Sequence, residues 1–231
     1  MCAVIGAVIQ KPTEENFNLL HRVFLESSIR GLHATGASWI WRDELATGIT
    51  SSHAYDWLNR YFDALKQGVD NDGNLYLVGH CRYSTSDLEY NQPIHNQTIS
   101  VVHNGVITQE MPEKWKDLYG YDFDTKNDSE LILRTIEAGK SPLDVFPDSS
   151  MAVAELYLQE RKVRFYRNGK RPLYYSVIPN GYIITSTEDI AARCFLTDTH
   201  EVPMNTYVTV GNDFVLNFVE VPTNNIDLQH A

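Results

Sequence analysis

The 231-residue sequence predicts an α+β fold of antiparallel sheets with a few helices on their outer faces. Three observations lead there. Short runs rich in β-branched and aromatic residues recur along the chain, and from Met151 they follow one another almost without a break. Asn168-Gly169 and Asn180-Gly181 stand between such runs, as tight turns between antiparallel strands require. Alternating strand–helix order is not sustained, and no G-x-x-x-x-G-K-[ST] phosphate loop occurs, which disfavours a doubly wound nucleotide fold. So many paired strands need cover on both faces, and a layered sandwich supplies it.

The elements follow in order. Residues 2–9, CAVIGAVI, are short, apolar and partly β-branched, as in a buried strand. Thr13 is placed to cap a helix whose first turn carries Glu14 and Glu15, charges that suit the positive end of the helix dipole. Phe17, Leu20, Phe24 and Ser28 share one face of it, and Gly31 is expected to end it in a left-handed conformation. GASWIW at 36–41 reads as a strand, and 54–68 as a helix with Trp57, Phe62 and Leu65 turned to the core. LYLVGH and TISVVH read as strands. Asn127-Asp128-Ser129-Glu130 is expected to cap a helix over LILRTIEAG. Six strands close the chain: AVAELYLQ, KVRFYR, LYYSVI, YIITS, TYVTV and FVLNF.

Composition narrows the function classes. At 43% hydrophobic and 21% charged the chain suits a globular protein, and its length fits one domain, expected to span 2–231. No apolar run reaches the roughly 20 residues of a membrane span, and no secretory signal opens the chain, so a cytoplasmic location is expected. A formal charge of −11 disfavours nucleic acid as a partner, because neutralising phosphates takes a basic surface. The small cluster Arg161-Lys162-Val163-Arg164 reads as the solvated side of a strand. Cys2, Cys81 and Cys194 form no Cys-x-x-Cys pattern, and His53, His80, His95 and His103 lack the i, i+4 spacing of a helical zinc site. No metal or cofactor is called for.

Four places interrupt apolar strands with chemistry. Arg82, in GHCRYSTSD, is suited to a bidentate grip on a carboxylate or to a structural ion pair. Asn104-Gly105 is a turn signal, or a side-chain N–H and a backbone N–H aimed at one oxyanion. Asp128 is a helix cap, or a partner for a substrate ammonium. Cys2 is an inert core residue or, once Met1 is removed, a thiol that carries its own α-amine as base, with a reference pKa of about 7.7–8.0. Taken together the second readings describe a site for an amino-acid amide, and glutamine has the matching groups.

The residues in their order carry a resemblance: CAVIGAV, SIRGLHATG, GHCRYSTSD, NQPI, VVHNG, NDSELIL, NGKRPLYY and STED. The chain resembles the class II, or N-terminal-nucleophile, glutamine amidotransferases, and RYSTS, NQPI and RPLYY are similar to the glutaminase domain of the amidophosphoribosyltransferase branch. The resemblance implies a four-layer αββα sandwich and a glutamine amidotransferase type-2 domain. It implies Cys2 as nucleophile, Asn104 and Gly105 as oxyanion donors, and Arg82 on the substrate carboxylate with Thr85 and Ser86 nearby. Asp128 would take the ammonium, while Arg30 and Tyr83 support the nucleophile end. This chain departs from common members in having Ala3 after the nucleophile, Tyr83 after the arginine, and Ser86 where many have His. Only about a dozen residues follow FVLNF, so a free-standing glutaminase that passes ammonia to a separate synthase subunit is expected. Two alternatives stay open on sequence alone: hydrolysis of another γ-glutamyl amide, and a non-catalytic binding or regulatory subunit if Met1 is retained.

Overall fold

Strand β1 (Ala3–Ile9) is buried along its whole length: in the computed structural model it lies inside one of two sheets, with helices on one of its faces and the second sheet on the other. The structure describes residues 1–84 and 89–222. Side chains alternate across a strand, so β1 serves two cores at once. Ile5 and Ile9 face one way, into a cluster with Leu20, Phe24, Trp57 and Leu77. Val4 and Val8 face the other way, toward Tyr76, Val102, Ala154 and Phe165. That double burial is why CAVIGAVI shows no polar alternation.

The first sheet runs in the order β11-β9-β10-β1-β4-β2-β3, and the pairings are antiparallel. Its strands are β2 (Ala34–Trp41), β3 (Glu44–Thr50), β4 (Leu75–Arg82), β9 (Tyr174–Ile178), β10 (Gly181–Thr185) and β11 (Thr199–Glu201), with β1 between β10 and β4. Helices α1 (Glu14–Ser27), α2 (Ala54–Lys66) and α6 (Glu188–Arg193) cover its outer face. The second sheet runs β13-β12-β8-β7-β6-β5, also antiparallel. It comprises β5 (Ile94–His95), β6 (Ile99–Val106), β7 (Ser150–Tyr157), β8 (Lys162–Arg167), β12 (Thr206–Val210) and β13 (Leu216–Glu220). Helices α4 (Glu130–Glu137) and α5 (Pro142–Val145) pack on its outer side through Leu131, Ile132 and Leu143 against Val101, Val153 and Tyr166. Helix α3 (Pro112–Tyr119) buries only Trp115. The expected four-layer αββα sandwich is therefore the observed one.

Local expectations mostly hold. Thr13 caps α1 in a full capping box with Asn16. Gly169 takes φ +90 in the turn after β8. Several elements were not legible. Edge strands β3, β5 and β11 carry mixed, half-exposed sequences, and short α3, α5 and α6 have too few buried residues to show a period.

Three expectations are corrected. Gly31 is extended, at φ −158 and ψ 108, and α1 passes through a 3₁₀ turn over Ser28–Arg30 before the chain enters β2. Glycine is needed there for space: a Cβ would lie 2.3 Å from the Cys81 carbonyl oxygen on β4. The stretch 127–130 does not cap α4 through Asp128. Asn127 Oδ1 accepts from Ser129 N–H at 3.1 Å, and the Asp128 carboxylate turns away to β6. The basic cluster at 161–164 is not simply solvated: Arg164 Nε donates to the buried Glu155 carboxylate at 2.6 Å, and Arg161 pairs with Asp43 at 2.6 Å. Among the described residues no helix is long and apolar enough to cross a membrane.

Gly31→Ala tests the close approach of 31 to β4. A methyl group forced onto backbone should destabilise the protein by about 1–3 kcal/mol. The reading is the denaturant midpoint at constant m-value, and an unmoved midpoint contradicts the packing described.

Candidate active site

Strand parity decides what meets at the open end of the slot between the sheets. Cys2 precedes β1 with the parity of Val4 and Val8, so it faces the second sheet. On β4, His80 and Arg82 share the parity of Tyr76 and Val78 and face the same way. On β6, Asn104 has the parity of Val102 and faces the first sheet, whereas His103 has that of Val101 and faces α4. Apolar filling gives out at this end, and polar groups take its place. Cys2, Arg82, Gly105, Trp115 and Asp128 line a cleft of about 480 Å³ here.

Cys2 is held from two sides. Its N–H donates to Asn104 Oδ1 at 3.2 Å, and its carbonyl accepts from Arg30 Nε at 3.0 Å. The thiol lies 3.8 Å from the Tyr83 carbonyl oxygen. Burial pushes the Cys2 thiol above its ordinary value of 9.0, an effect partly offset by a backbone hydrogen bond at Tyr83 and, after it, by the amino terminus and the Arg82 and Arg30 cations. The thiol therefore stays protonated at neutral pH and needs a base before it can attack.

The contact with Cys2 also orients the Asn104 amide. An N–H has only a proton to offer, so the atom facing it must be the oxygen. That leaves Asn104 Nδ2 as a buried donor with no hydrogen-bond partner among the described residues. Buried polar groups are nearly always paired, so an unpaired donor beside a thiol marks a place that a ligand oxygen could fill. Gly105 supplies a second donor. It pairs with Met151 across the β6–β7 ladder, but Met151 directs its own N–H and carbonyl to Asn168, at 3.2 Å each. Gly105 and Met151 thus form a pair whose backbone groups face apart, which leaves the Gly105 N–H on the cleft side. Only glycine fits: φ is +150, and a Cβ would sit 1.9 Å from the Ser150 carbonyl oxygen.

Arg82 and Asp128 stand across the cleft, each with part of its capacity committed. Arg82 Nη1 donates to the Tyr90 carbonyl at 2.9 Å and to Asn91 Oδ1 at 2.7 Å. Asp128 Oδ2 accepts from Ile107 N–H at 2.6 Å. Tyr83 is half-exposed at the mouth, with its ring 4.9 Å from that of His33. His33 Nδ1 accepts from Ser84 N–H at 2.9 Å. Thr85 and Ser86 lie outside the described residues.

The structure thus brings Cys2, Gly105, Arg82 and Asp128 to one cleft, with Asn104 buried against the Cys2 N–H, Arg30 on the Cys2 carbonyl and the Tyr83 carbonyl by the thiol. Sequence reading passed over Trp115, Gln92 and Ser129, which line the same cleft. Trp115 lies in the polar stretch PEKWKDLY, where one tryptophan among charges was the available signal. His103 also lines the cleft, and both of its nitrogens are used. Nε2 faces the Ser150 carbonyl at 3.1 Å and so carries the proton, while Nδ1 meets Ser129 Oγ at 3.0 Å. Burial lowers the pKa of His103 and takes His80 down to about 3, so both rings are neutral near pH 7, and both His103 nitrogens are already committed. Among the described residues no group of three or more His, Cys, Asp or Glu is placed to hold a metal ion.

Comparison with known proteins gives a family and a fold. Residues 46–215 match the family model described as a glutamine amidotransferase domain. No curated protein matches the sequence. Among solved structures, glutamine phosphoribosylpyrophosphate amidotransferase from B. subtilis superposes with a TM-score of 0.74 at 18% identity, over 96% of this chain and 50% of that one. A structure described as the allosteric regulatory enzyme of purine biosynthesis gives the same values. The chain spans about half the length of these relatives. At this identity the likeness is one of fold, the N-terminal-nucleophile hydrolase sandwich.

The protonated thiol can be checked directly. While Met1 is retained, Cys2 alkylation by iodoacetamide should keep accelerating as pH rises past 9, because only the thiolate reacts. Mass spectrometry of the Cys2 peptide reads the rate, and a plateau reached by pH 8 contradicts the burial effect.

Proposed function

As the chain belongs to the glutamine amidotransferase domain family, we propose that it hydrolyses L-glutamine to L-glutamate and ammonia with Cys2 as nucleophile. One observation carries the assignment of roles: Asn104 spends its acceptor on Cys2 and keeps a buried, unpartnered donor beside the thiol.

The steps follow from these positions. Cleavage of the Met1–Cys2 bond turns the Cys2 amide nitrogen into an α-amine at the same place, still facing Asn104 Oδ1. The neutral amine takes the thiol proton, and the thiolate attacks the side-chain amide carbon of glutamine. The carbonyl π electrons move onto oxygen, where Asn104 Nδ2–H and Gly105 N–H receive the charge. The α-ammonium returns its proton to the leaving nitrogen, ammonia departs, and a γ-glutamyl thioester remains. Water, deprotonated by the amine, opens the thioester through a second oxyanion held by the same donors, and the thiol is restored.

Arg82 binds the substrate carboxylate with the part of its guanidinium not spent on Tyr90 and Asn91, and Thr85 and Ser86 follow it in sequence. Asp128 binds the α-ammonium through Oδ1, since Oδ2 serves Ile107. Arg30 and the Tyr83 carbonyl hold Cys2 in place. One glutamine amidotransferase type-2 domain spans 2–231. Cys2, Cys81 and Cys194 are all free thiols, which suits the reducing cytoplasm. The product ammonia is largely protonated near neutrality and then not nucleophilic, so a separate acceptor synthase is its expected consumer.

Four measurements test this reading. The intact mass of the mature protein should show loss of one Met, and retention of Met1 would favour a binding or regulatory role. Cys2→Ala should abolish glutamate release from glutamine, and a substrate panel should rank glutamine above other γ-glutamyl amides. Asn104→Ala should lower kcat by about 10²–10³, the usual cost of one oxyanion donor. Wild-type turnover in either variant would overturn the mechanism.

A further inference from the structure

Gln92 is buried beside β6, and its side chain does what a neighbouring strand would do. Strand β5 pairs with β6 only through Ile94↔Val101 and His95↔Ser100. Past that point His103 has no strand partner on the β5 side among the described residues. Gln92 Oε1 accepts from His103 N–H at 2.6 Å, and Gln92 Nε2 donates to the His103 carbonyl at 3.1 Å. One carboxamide thus satisfies both backbone groups of one residue. His80 Nε2 lies 3.2 Å from the same carbonyl. The Gln92 backbone is itself pressed onto the first sheet, where a Cβ on Gly36 would lie 2.2 Å from its carbonyl oxygen.

The His103 carbonyl belongs to the peptide that leads into Asn104. Holding that peptide plane fixes the root of the Asn104 side chain, and Gly105 N–H follows one residue on. We infer that Gln92 is a positioning residue for the oxyanion donors: its carboxamide clips the His103 backbone so that Asn104 Nδ2 and Gly105 N–H converge on one oxygen. This role rests on the function proposed above.

The reading variant is Gln92→Glu, which keeps the volume and the acceptor but sets a carboxylate oxygen against the His103 carbonyl. Oxyanion donors act in the transition state, so the loss should fall on kcat. Misaimed donors should lower kcat by roughly 10–100-fold, less than deletion of one. The KM for glutamine should stay within about threefold, because Arg82 and Asp128 are untouched. Iodoacetamide alkylation of Cys2, which needs no oxyanion hole, should proceed at the wild-type rate. A general loss of structure would instead move kcat, KM, alkylation and melting together, and that outcome counts against a positioning role. Unchanged kcat in Gln92→Glu, with active wild type, overturns the clip alone. Wild type that releases no glutamate overturns the functional reading as well. Should the variant not fold, amide exchange in the unaltered protein decides. The His103 N–H should be protected, and exchange as fast as on an open strand edge would overturn the clip.

Discussion

The hydrogen bond from Cys2 N to Asn104 Oδ1 is the point where the two sheets stop being merely packed and become a site. Elsewhere the slot between them is filled mainly by apolar side chains such as Val4, Val102, Ala154 and Phe165, with Ser100 Oγ bonded to Ser38 Oγ across it at 2.7 Å. At its end a primary amide with one acceptor and one pair of donors is set against a backbone N–H. Spending the acceptor on Cys2 leaves the amide's donors, buried next to Cys2, without a partner among the described residues. An unpaired buried donor costs the free protein about 1–3 kcal/mol. A ligand oxygen that arrives with negative charge relieves that cost, and it does so more fully than a neutral carbonyl does.

The rest of the cleft is built to keep that amide still. Gly105 gives β6 a backbone path that no side chain would tolerate against Ser150. His103 is locked on its outer face by Ser129 and Ser150, and on its backbone by Gln92 and His80. Arg82 is steadied by Tyr90 and Asn91, the two residues just ahead of Gln92. A short run of chain, residues 90–92, therefore touches both Arg82 and the backbone that leads into Asn104.

Much of this was legible in sequence, for identifiable reasons. The strand at the N-terminus was visible because both of its faces are apolar, but that same feature hid which way Cys2 points: parity has no meaning until a partner sheet is known. Arg82, Asn104-Gly105 and Asp128 stood out as polar interruptions, and each kept a bland reading until the fold set them around one cleft. Asp128 does have a structural duty, yet toward Ile107 on the β6 side rather than toward its own helix. Gly31 was read as a conformational glycine and is a spatial one, because the Cys81 carbonyl that excludes a side chain lies far along the chain. The clip by Gln92 had no local signature at all. A glutamine that imitates a strand cannot be told from any other glutamine until the missing strand is seen.

The position of Met1 has a practical side. It is exposed, and Arg30 Nη2 lies 3.7 Å from its sulfur. Any polypeptide joined ahead of Met1 would start one residue from Cys2, which lines the cleft. On the function proposed above, an affinity tag fused to that end and not removed would keep the Cys2 nitrogen an amide. The choice of which terminus to tag is, for this protein, already a choice about whether its chemistry can be observed.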